Sequence, residues 1–229
     1  MRVLQLLPEL KFGGVERGTV DLSEHLTKLG HQSAVVSAGG GLTEQLSNHG
    51  AKHFSLPIAK KNFLAIQQYK NLRDIYCEFK PDIIHVRSRF PAWINLLALK
   101  GLPSSKPIVI STFHGLYSKP FYSKSMSYAD DIIAISKTVQ EYVFKNYDVD
   151  HSRVHLIYRG CDIDEFNTSP PSEAWSNSWY KEFPQTSDKI LLTLPGRITG
   201  WKGIEDFLKL LSQLDQAKYH GLIPGPVNA

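Results

Sequence analysis

Cysteine is nearly missing from this chain: Cys77 and Cys161 are its two cysteines in 229 residues, and they stand in no metal-ligand spacing. That argues against a disulfide framework and makes a reduced, cytoplasmic setting the expectation. Long apolar runs are missing too. No stretch approaches the ~18 residues of a membrane-spanning helix. The opening Met1-Arg-Val-Leu-Gln-Leu-Leu is soon broken by Pro8, too short for the apolar core of a signal peptide. Charge of one sign is weak: 26 Lys and Arg against 22 Asp and Glu give a formal net charge of +4. Acidic partners such as nucleotide phosphates or anionic lipid head groups are compatible with that balance, and no nucleic acid is expected. Internal repeats and low-complexity tracts are absent. What remains is an ordinary globular composition, 42% hydrophobic and 21% charged, sufficient for one domain plus part of another, or for one large domain.

Short Val/Ile-rich runs alternate with helix-like segments. The runs span 3–7, 34–37, 53–56, 83–86, 108–112, 132–135 and 154–157, and most read as strands buried on both faces, the mark of a parallel sheet. Between them, Val15, Thr19, Leu22, Leu26 and Leu29 recur at helical spacing and Gly30 is placed to end the helix. Further helices are expected near 64–79, 92–99 and 137–147. The alternation predicts an α/β fold, a Rossmann-like doubly wound parallel sheet over residues 1–166. Pro170-Pro171, Trp175, Trp179 and Pro184 break the rhythm, so 167–188 reads as a linker with some aromatic anchoring. From 189 onward a strand (189–194), a helix (203–214) and another strand-like run (221–223) open a second domain. The chain reaches Ala229 with that domain unfinished, so 189–229 is expected to be a truncated second Rossmann-like domain with an aggregation-prone sheet edge.

The stretch Leu194-Pro-Gly-Arg-Ile-Thr-Gly-Trp-Lys-Gly203 carries the most chemistry. A strand, a glycine turn with Arg197 and Lys202, and a helix N-terminus together make an anion site, for which a diphosphate is the natural guest. Phe12-Gly13-Gly14-Val15-Glu16 follows the first strand. Its paired glycines admit close backbone approach of a ligand at the carboxyl edge of the sheet, or simply make a turn with Glu16 complementing the helix dipole. The glycines lack the Gly-x-Gly-x-x-Gly spacing of a dinucleotide fingerprint, so a nicotinamide oxidoreductase fits poorly. His85-Val86-Arg87-Ser88-Arg89 ends another strand: Arg87 points into the crevice, or the arginines decorate a solvated loop. His114, in Thr112-Phe-His-Gly115, either bonds a sugar hydroxyl or steadies a departing phosphate, or is a structural histidine. Tyr117, Phe121, Tyr122 and Tyr128 interleave with Lys119 and Lys124, as suits a membrane interface or a carbohydrate-stacking surface, or an ordinary exposed loop. Ala59-Lys60-Lys61-Asn62-Phe63 is a similar, shorter basic patch. Tyr158-Arg-Gly-Cys-Asp-Ile-Asp-Glu-Phe166 follows the last strand of the first domain, with Gly160 and Asp162 at the mouth of an interdomain cleft.

Taken in order, Gly13-Gly14-Val15-Glu16, Thr112-Phe113-His114-Gly115, Ala134-Ile135-Ser136, Ile157-Tyr-Arg-Gly-Cys-Asp162 with Phe166, and Pro195-Gly196-Arg197 through Trp201-Lys202-Gly203 resemble the family 4 glycosyltransferases of the retaining GT-B type. The Tyr-Arg-Gly and Leu-Pro-Gly-Arg-Ile-Thr variants look most like bacterial members acting in lipopolysaccharide or surface-glycan assembly. The resemblance implies an acceptor-binding N-terminal domain facing, across a cleft, a C-terminal domain that binds a nucleotide-diphosphate sugar. Arg197 and Lys202 would hold the donor diphosphate, with Gly13 and Gly14 approaching it. His114, the candidate catalytic residue, would line the sugar pocket. Ser136 would face the acceptor side, in a cleft that also takes Glu16, Arg87 and Asp162. A glycan or lipid-linked acceptor is implied, with peripheral contact to the anionic inner face of a membrane. No cofactor and no metal are expected, because fixed cations and backbone N–H groups can stabilise a departing diphosphate.

The resemblance departs at one point. The family carries a Glu-x7-Glu pair in its C-terminal domain, and nothing after Lys202 supplies it. The 229 residues alone are therefore expected to turn over poorly or not at all. The alternatives are a non-catalytic acceptor- or glycan-binding module or subunit, and the remnant of a broken gene.

Overall fold

The computed structural model describes all residues except 60–62, 103–105, 118–119, 165, 197 and 226–229, with backbone alone for Phe63, Pro120 and Trp201. The chain divides into two compact units, Met1–Gly160 and Cys161–Ala229.

The first unit is built on a seven-stranded sheet: β1 (Arg2–Leu6), β2 (Gln32–Ser37), β3 (Lys52–Ser55), β4 (Ile83–Val86), β5 (Ile108–Phe113), β6 (Asp131–Ala134) and β7 (Val154–Leu156). Every pairing is parallel and the order is β3-β2-β1-β4-β5-β6-β7. All seven strands expected from the apolar runs are present, each within a residue or two of the anticipated ends. In register, Leu4 of β1 lies opposite Ala34 of β2 and Ile84 of β4.

Side chains alternate across the pleat and fill two separate cores. Leu4, Leu6, Ala34, Val36, Ile84 and Val86 join one large cluster. It is covered by α4 (Tyr69–Phe79), α5 (Arg89–Leu99) and α7 (Lys137–Asn146), which bury Leu72, Ile94 and Val143 in it. On the opposite face Val35 packs with Val20 of α1 (Gly14–Lys28) and Leu46 of α2 (Thr43–Asn48). Helix α1 starts at Gly14 and stops where Gly30 takes φ +76°, as its spacing predicts.

The helix expected over 64–79 is instead two, α3 (Phe63–Gln67) and α4. At Gln68 the backbone N–H reaches Ala65 rather than Leu64, and the Gln68 side-chain amide donates to the Leu64 carbonyl in its place. Helix α5 begins earlier than expected, at Arg89, because Pro91 falls in the first turn, where an N–H has no intrahelical partner to lose. Two short elements escaped the periodicity: α2, and α6 (Pro120–Ser123) with the 3-10 turn Lys124–Tyr128 that continues it.

The second unit contains α8 (Glu173–Glu182), β8 (Ile190–Thr193), α9 (Ile204–Ser212) and β9 (Tyr219–Leu222). The segment 167–188 is thus not featureless chain. Ser172 caps α8 through its Oγ, Trp175 stacks on Trp179 at 5.5 Å, and the Trp179 indole donates to Thr186 Oγ1 at 3.0 Å. Strands β8 and β9 pair in parallel around α9, a single β-α-β unit. Among the described residues no helix is long and apolar enough to cross a membrane.

Leu4 is fully buried between its two neighbouring strands. Leu4→Ala is expected to cost about 2–5 kcal/mol, read as a lowered urea midpoint with an unchanged slope.

Candidate functional site

Parallel pairing delivers every loop after a strand to one edge of the sheet, and the strand order reverses between β1 and β4. Open α/β sheets bind ligands in the crevice at such a reversal. The loop after β1 carries Gly13 and Gly14, the residue after β4 is Arg87, and the residue after β5 is His114.

Arg87 is the least expected of these side chains. It is 7% exposed, so the solvated-loop alternative for it is overturned. Its Nη1 donates to Gln5 Oε1 at 3.0 Å, and Gln5 is itself anchored by donating from Nε2 to the Thr19 carbonyl at 3.0 Å and to Ser23 Oγ at 2.8 Å. Gln5 is the polar break in an otherwise apolar strand, turned to the α1 side by the pleat. The Arg87 Nε is buried with no hydrogen-bond partner. Burial, reinforced by the Arg159 guanidinium, pushes the Arg87 pKa down to about 10, against the pull of Asp21 and Glu16.

Arg159 follows β7 and returns to α1, where its Nη2 donates to the Gly14 carbonyl. Gly14 and Gly18 leave the space it needs. A Cβ on Gly14 would lie 2.8 Å from Arg159 Nη1, and one on Gly18 would lie 2.7 Å from Arg159 Nη2 and 3.3 Å from Arg87 Nη2. The two guanidinium groups therefore flank one glycine. Among the described residues neither pairs with a carboxylate: Asp21 is taken by Arg17 at 2.7 Å, and Glu16 folds back over Gly13. No side chain caps α1.

His114 completes the cluster. Both ring nitrogens are buried without a hydrogen-bond partner, and burial together with Arg87 and Arg159 pushes its pKa down to about 3. The ring is neutral near pH 7, with one donor and one acceptor to offer a hydroxyl-bearing ligand. Tyr117 packs on Phe113 at 5.3 Å, and Arg89 stacks over Tyr117 at 4.7 Å, bracing the chain beyond His114.

The remaining expected residues belong to other elements. Ser136, after β6, uses its Oγ to cap α7 by accepting from the Val139 N–H at 3.2 Å. Asp162 is exposed in the second unit, and its Oδ1 accepts from the Asp164 N–H at 2.9 Å. Arg197 lies outside the described residues, as do Lys60, Lys61, Asn62, Lys119 and Glu165. Lys202 is exposed at the end of the 3-10 turn Gly200–Lys202, directly before Gly203, whose φ of +72° starts α9. Gly196, at φ +146°, lies against the Lys202 stem: a Cβ there would be 3.8 Å from Lys202 Cε.

Two Asp-x-Asp spacings occur, Asp148/Asp150 and Asp162/Asp164. Asp150 caps a 3-10 turn through Ser152, and Asp162 closes its own turn. Among the described residues no three His, Cys, Asp or Glu side chains are grouped to hold a metal ion. A groove of about 620 Å³ lined by Arg2, Asp82, Pro107 and Ile108 lies at the amino ends of the strands, away from this cluster.

Sequence reasoning passed over Arg159 and Gln5 as site residues. The signals were present, a Tyr-Arg-Gly run just after the last strand and a glutamine inside Val-Leu-Gln-Leu-Leu, but neither says which residue it meets.

A parallel seven-stranded sheet whose strand order reverses beside β1, with helices on both faces, defines the class: a doubly wound, Rossmann-like α/β protein. The family model described as Glycosyltransferase Family 4 matches residues 12–165, and the chain belongs to that family. It is similar to a glycosyltransferase structure from Rickettsia africae (30% identity, TM-score 0.82, 98% of this chain and 60% of that one). It shares the fold of the Anabaena protein HepE crystallised with UDP and glucose (16% identity, TM-score 0.76, 97% and 60%). An uncharacterised glycosyltransferase of Methanocaldococcus jannaschii is 25% identical over 88% of this chain, and the match spans 56% of that relative. The chain thus spans little more than half the length of the proteins it matches.

Gln5→Leu is expected to destabilise the unit by roughly 1–3 kcal/mol, because it leaves buried Arg87 without its acceptor. A denaturant titration checks this. His114 is held far below its ordinary pKa of 6.5, and buried His85 is depressed in the same direction. The folded state stays neutral at these rings while the unfolded chain takes up protons, so stability falls as pH drops below 6.5 towards 3. His114→Gln is expected to flatten that decline, seen as a smaller loss of urea midpoint between about pH 7 and pH 5.

Proposed function

We propose that this chain is the acceptor-side unit, with the opening β-α-β of the donor-side unit, of an enzyme that transfers a sugar from a nucleotide-diphosphate sugar to a glycan or lipid-linked acceptor. The observation that carries this reading is the turn between β8 and α9. It sets Lys202 beside Gly196, the residue that precedes Arg197 in sequence, and one residue, Gly203, short of α9. Negative charge develops on the departing diphosphate while the sugar becomes oxocarbenium-like. Fixed cations and backbone N–H groups aimed at that charge stabilise the transition state more than the ground state. They supply the electrostatics that a divalent ion supplies elsewhere, so transfer is proposed to need no metal. Retention follows if the acceptor attacks on the face the diphosphate leaves, with a diphosphate oxygen taking the acceptor's proton. Neutral His114 then serves as a hydrogen-bonding partner of a sugar hydroxyl. The narrower role in lipopolysaccharide or surface-glycan assembly rests on the Tyr158-Arg-Gly and Leu194-Pro-Gly-Arg variants.

Membrane contact by the 116–128 stretch is part of the proposal. Leu116 and Phe121 are 60% and 85% exposed, and the Lys124 ammonium lies 5.8 Å from the Tyr128 ring, an apolar and cationic surface suited to a head-group layer.

Two measurements test these statements. Calorimetric titration of a nucleoside diphosphate into the chain is expected to show binding that EDTA leaves unchanged and that Lys202→Gln weakens about tenfold. Glycan binding with no response to any nucleotide would favour the non-catalytic module instead. Co-sedimentation with phosphatidylglycerol vesicles is expected to fall for Lys124→Glu, and unchanged sedimentation would remove the membrane statement.

A further inference from the structure

The groove at the amino ends of the strands takes no part in the proposed transfer. Parallel pairing sets Ile83, at the start of β4, opposite Ile108, at the start of β5. Each strand is entered through a Lys-Pro step, Lys80-Pro81 and Lys106-Pro107, and both steps line the groove. Proline has no N–H, so each step presents an apolar ring where a backbone donor would otherwise stand. Leu102 and Ile108 extend that lining. Ile108 is 52% exposed although β5 lies inside the sheet, with β4 and β6 on either side. An apolar side chain left open in a concave site is what a ligand covers.

Lys80 and Lys106 supply the charge. Among the described residues neither pairs with a carboxylate, because the neighbouring acids are taken. Asp82 accepts the Arg2 backbone N–H at 2.6 Å and the Arg2 Nη2 at 3.4 Å, and Glu78 pairs with Lys52 at 2.5 Å. Lys80 ends α4 at φ 51°, a left-handed position where glycine or asparagine is usual. The dipole of α4 favours one cation at its carboxyl end. Lys106 precedes a strand and has no such partner.

We propose that this groove binds a small amphipathic carboxylate, with its apolar body against Pro81, Leu102, Pro107 and Ile108 and its head group held by Lys80 and Lys106. The groove's volume of about 620 Å³ lies within the range of small-ligand sites. Lysine ammoniums are compact point charges, which suit a carboxylate without demanding a forked geometry. The other polar groups of the lining are already engaged, Tyr76 with Asn95 at 2.6 Å and Arg2 with Asp82. The head group therefore falls to the two lysines. An occupant covers Ile108 and offsets two like charges on one wall. The site stands at the opposite edge of the sheet from Arg87 and His114, so it does not depend on the transferase reading.

The test uses the chain as it is, with octanoate as probe. Titration followed by methyl nuclear magnetic resonance is expected to shift the Ile108 and Leu102 signals and to leave Leu208, exposed in the second unit, in place. Lys80→Asn, which accepts the left-handed backbone, and Lys106→Gln are each expected to weaken binding about fivefold with an unchanged circular dichroism spectrum. Two comparisons need no variant. Octanamide has the apolar body without the charge, and acetate the charge without the body. Each is expected to bind at least about tenfold more weakly than octanoate. Octanoate that leaves Ile108 and Leu102 unmoved overturns the proposal. So does octanoate that binds the Lys80→Asn/Lys106→Gln double variant as tightly as the unaltered chain, or octanamide that matches it.

Discussion

Parallel strand pairing governs the rest of the first unit. When every strand runs the same way, all chain exits fall at one edge of the sheet, whatever their order in sequence. The early strands β2 and β3 are laid outward from β1 on one side, and β4 to β7 on the other. The loops after β1 and β4 therefore diverge, and the gap between them is where a ligand has room. Arg87 and His114 come to that edge because each directly follows its strand, and the connection from β1 to α1 brings Gly13-Gly14 to the same edge. The apolar alternation that builds two cores, one on each face, is what holds that edge in place.

The polar core on the α1 side is a local exception to the rule of burying apolar groups. Gln5, Thr19 and Ser23 form a hydrogen-bonded patch inside the fold, and its outer member is a charged guanidinium. Such a network is worth its desolvation only if every member is satisfied. Here the network closes on the inner side and stays open on the crevice side, at the Arg87 Nε and the His114 ring. Local rules are broken at functional sites and compensated elsewhere. The compensation here is the dense packing of Leu4, Leu6, Ala34 and Ile84 on the other face.

The second unit repeats the theme on a smaller scale. A strand, a glycine-bearing turn and a helix again bring a cationic side chain, Lys202, to a helix N-terminus. The acids Glu205 and Asp206 then follow in its first turn, as the dipole favours. Gly196 and Gly203 both take positive φ, conformations that let the turn fold tightly enough for the Lys202 stem to reach Gly196.

Much of this was legible in the sequence because strand and helix periodicities are local. The seven apolar runs gave seven strands, the four-and-three spacing gave α1, and Gly30 marked its end. The glycine-bearing loops and the basic turn were found for the same reason, since each is a contiguous motif. Short or atypical elements such as α2 and α6 were not, because a few polar residues carry too little period to read. What the sequence by itself determined is therefore the α/β class, the strand inventory and which loops are chemically unusual. Tertiary structure alone decided that Arg87 is buried, that Gln5 is its partner 82 residues away, and that Arg159 reaches Gly14 across 145 residues. It also decided that the His114 ring is buried near Arg87 and Arg159, which lowers its pKa. Burial and charge proximity are properties of the space between segments, and no local pattern encodes them.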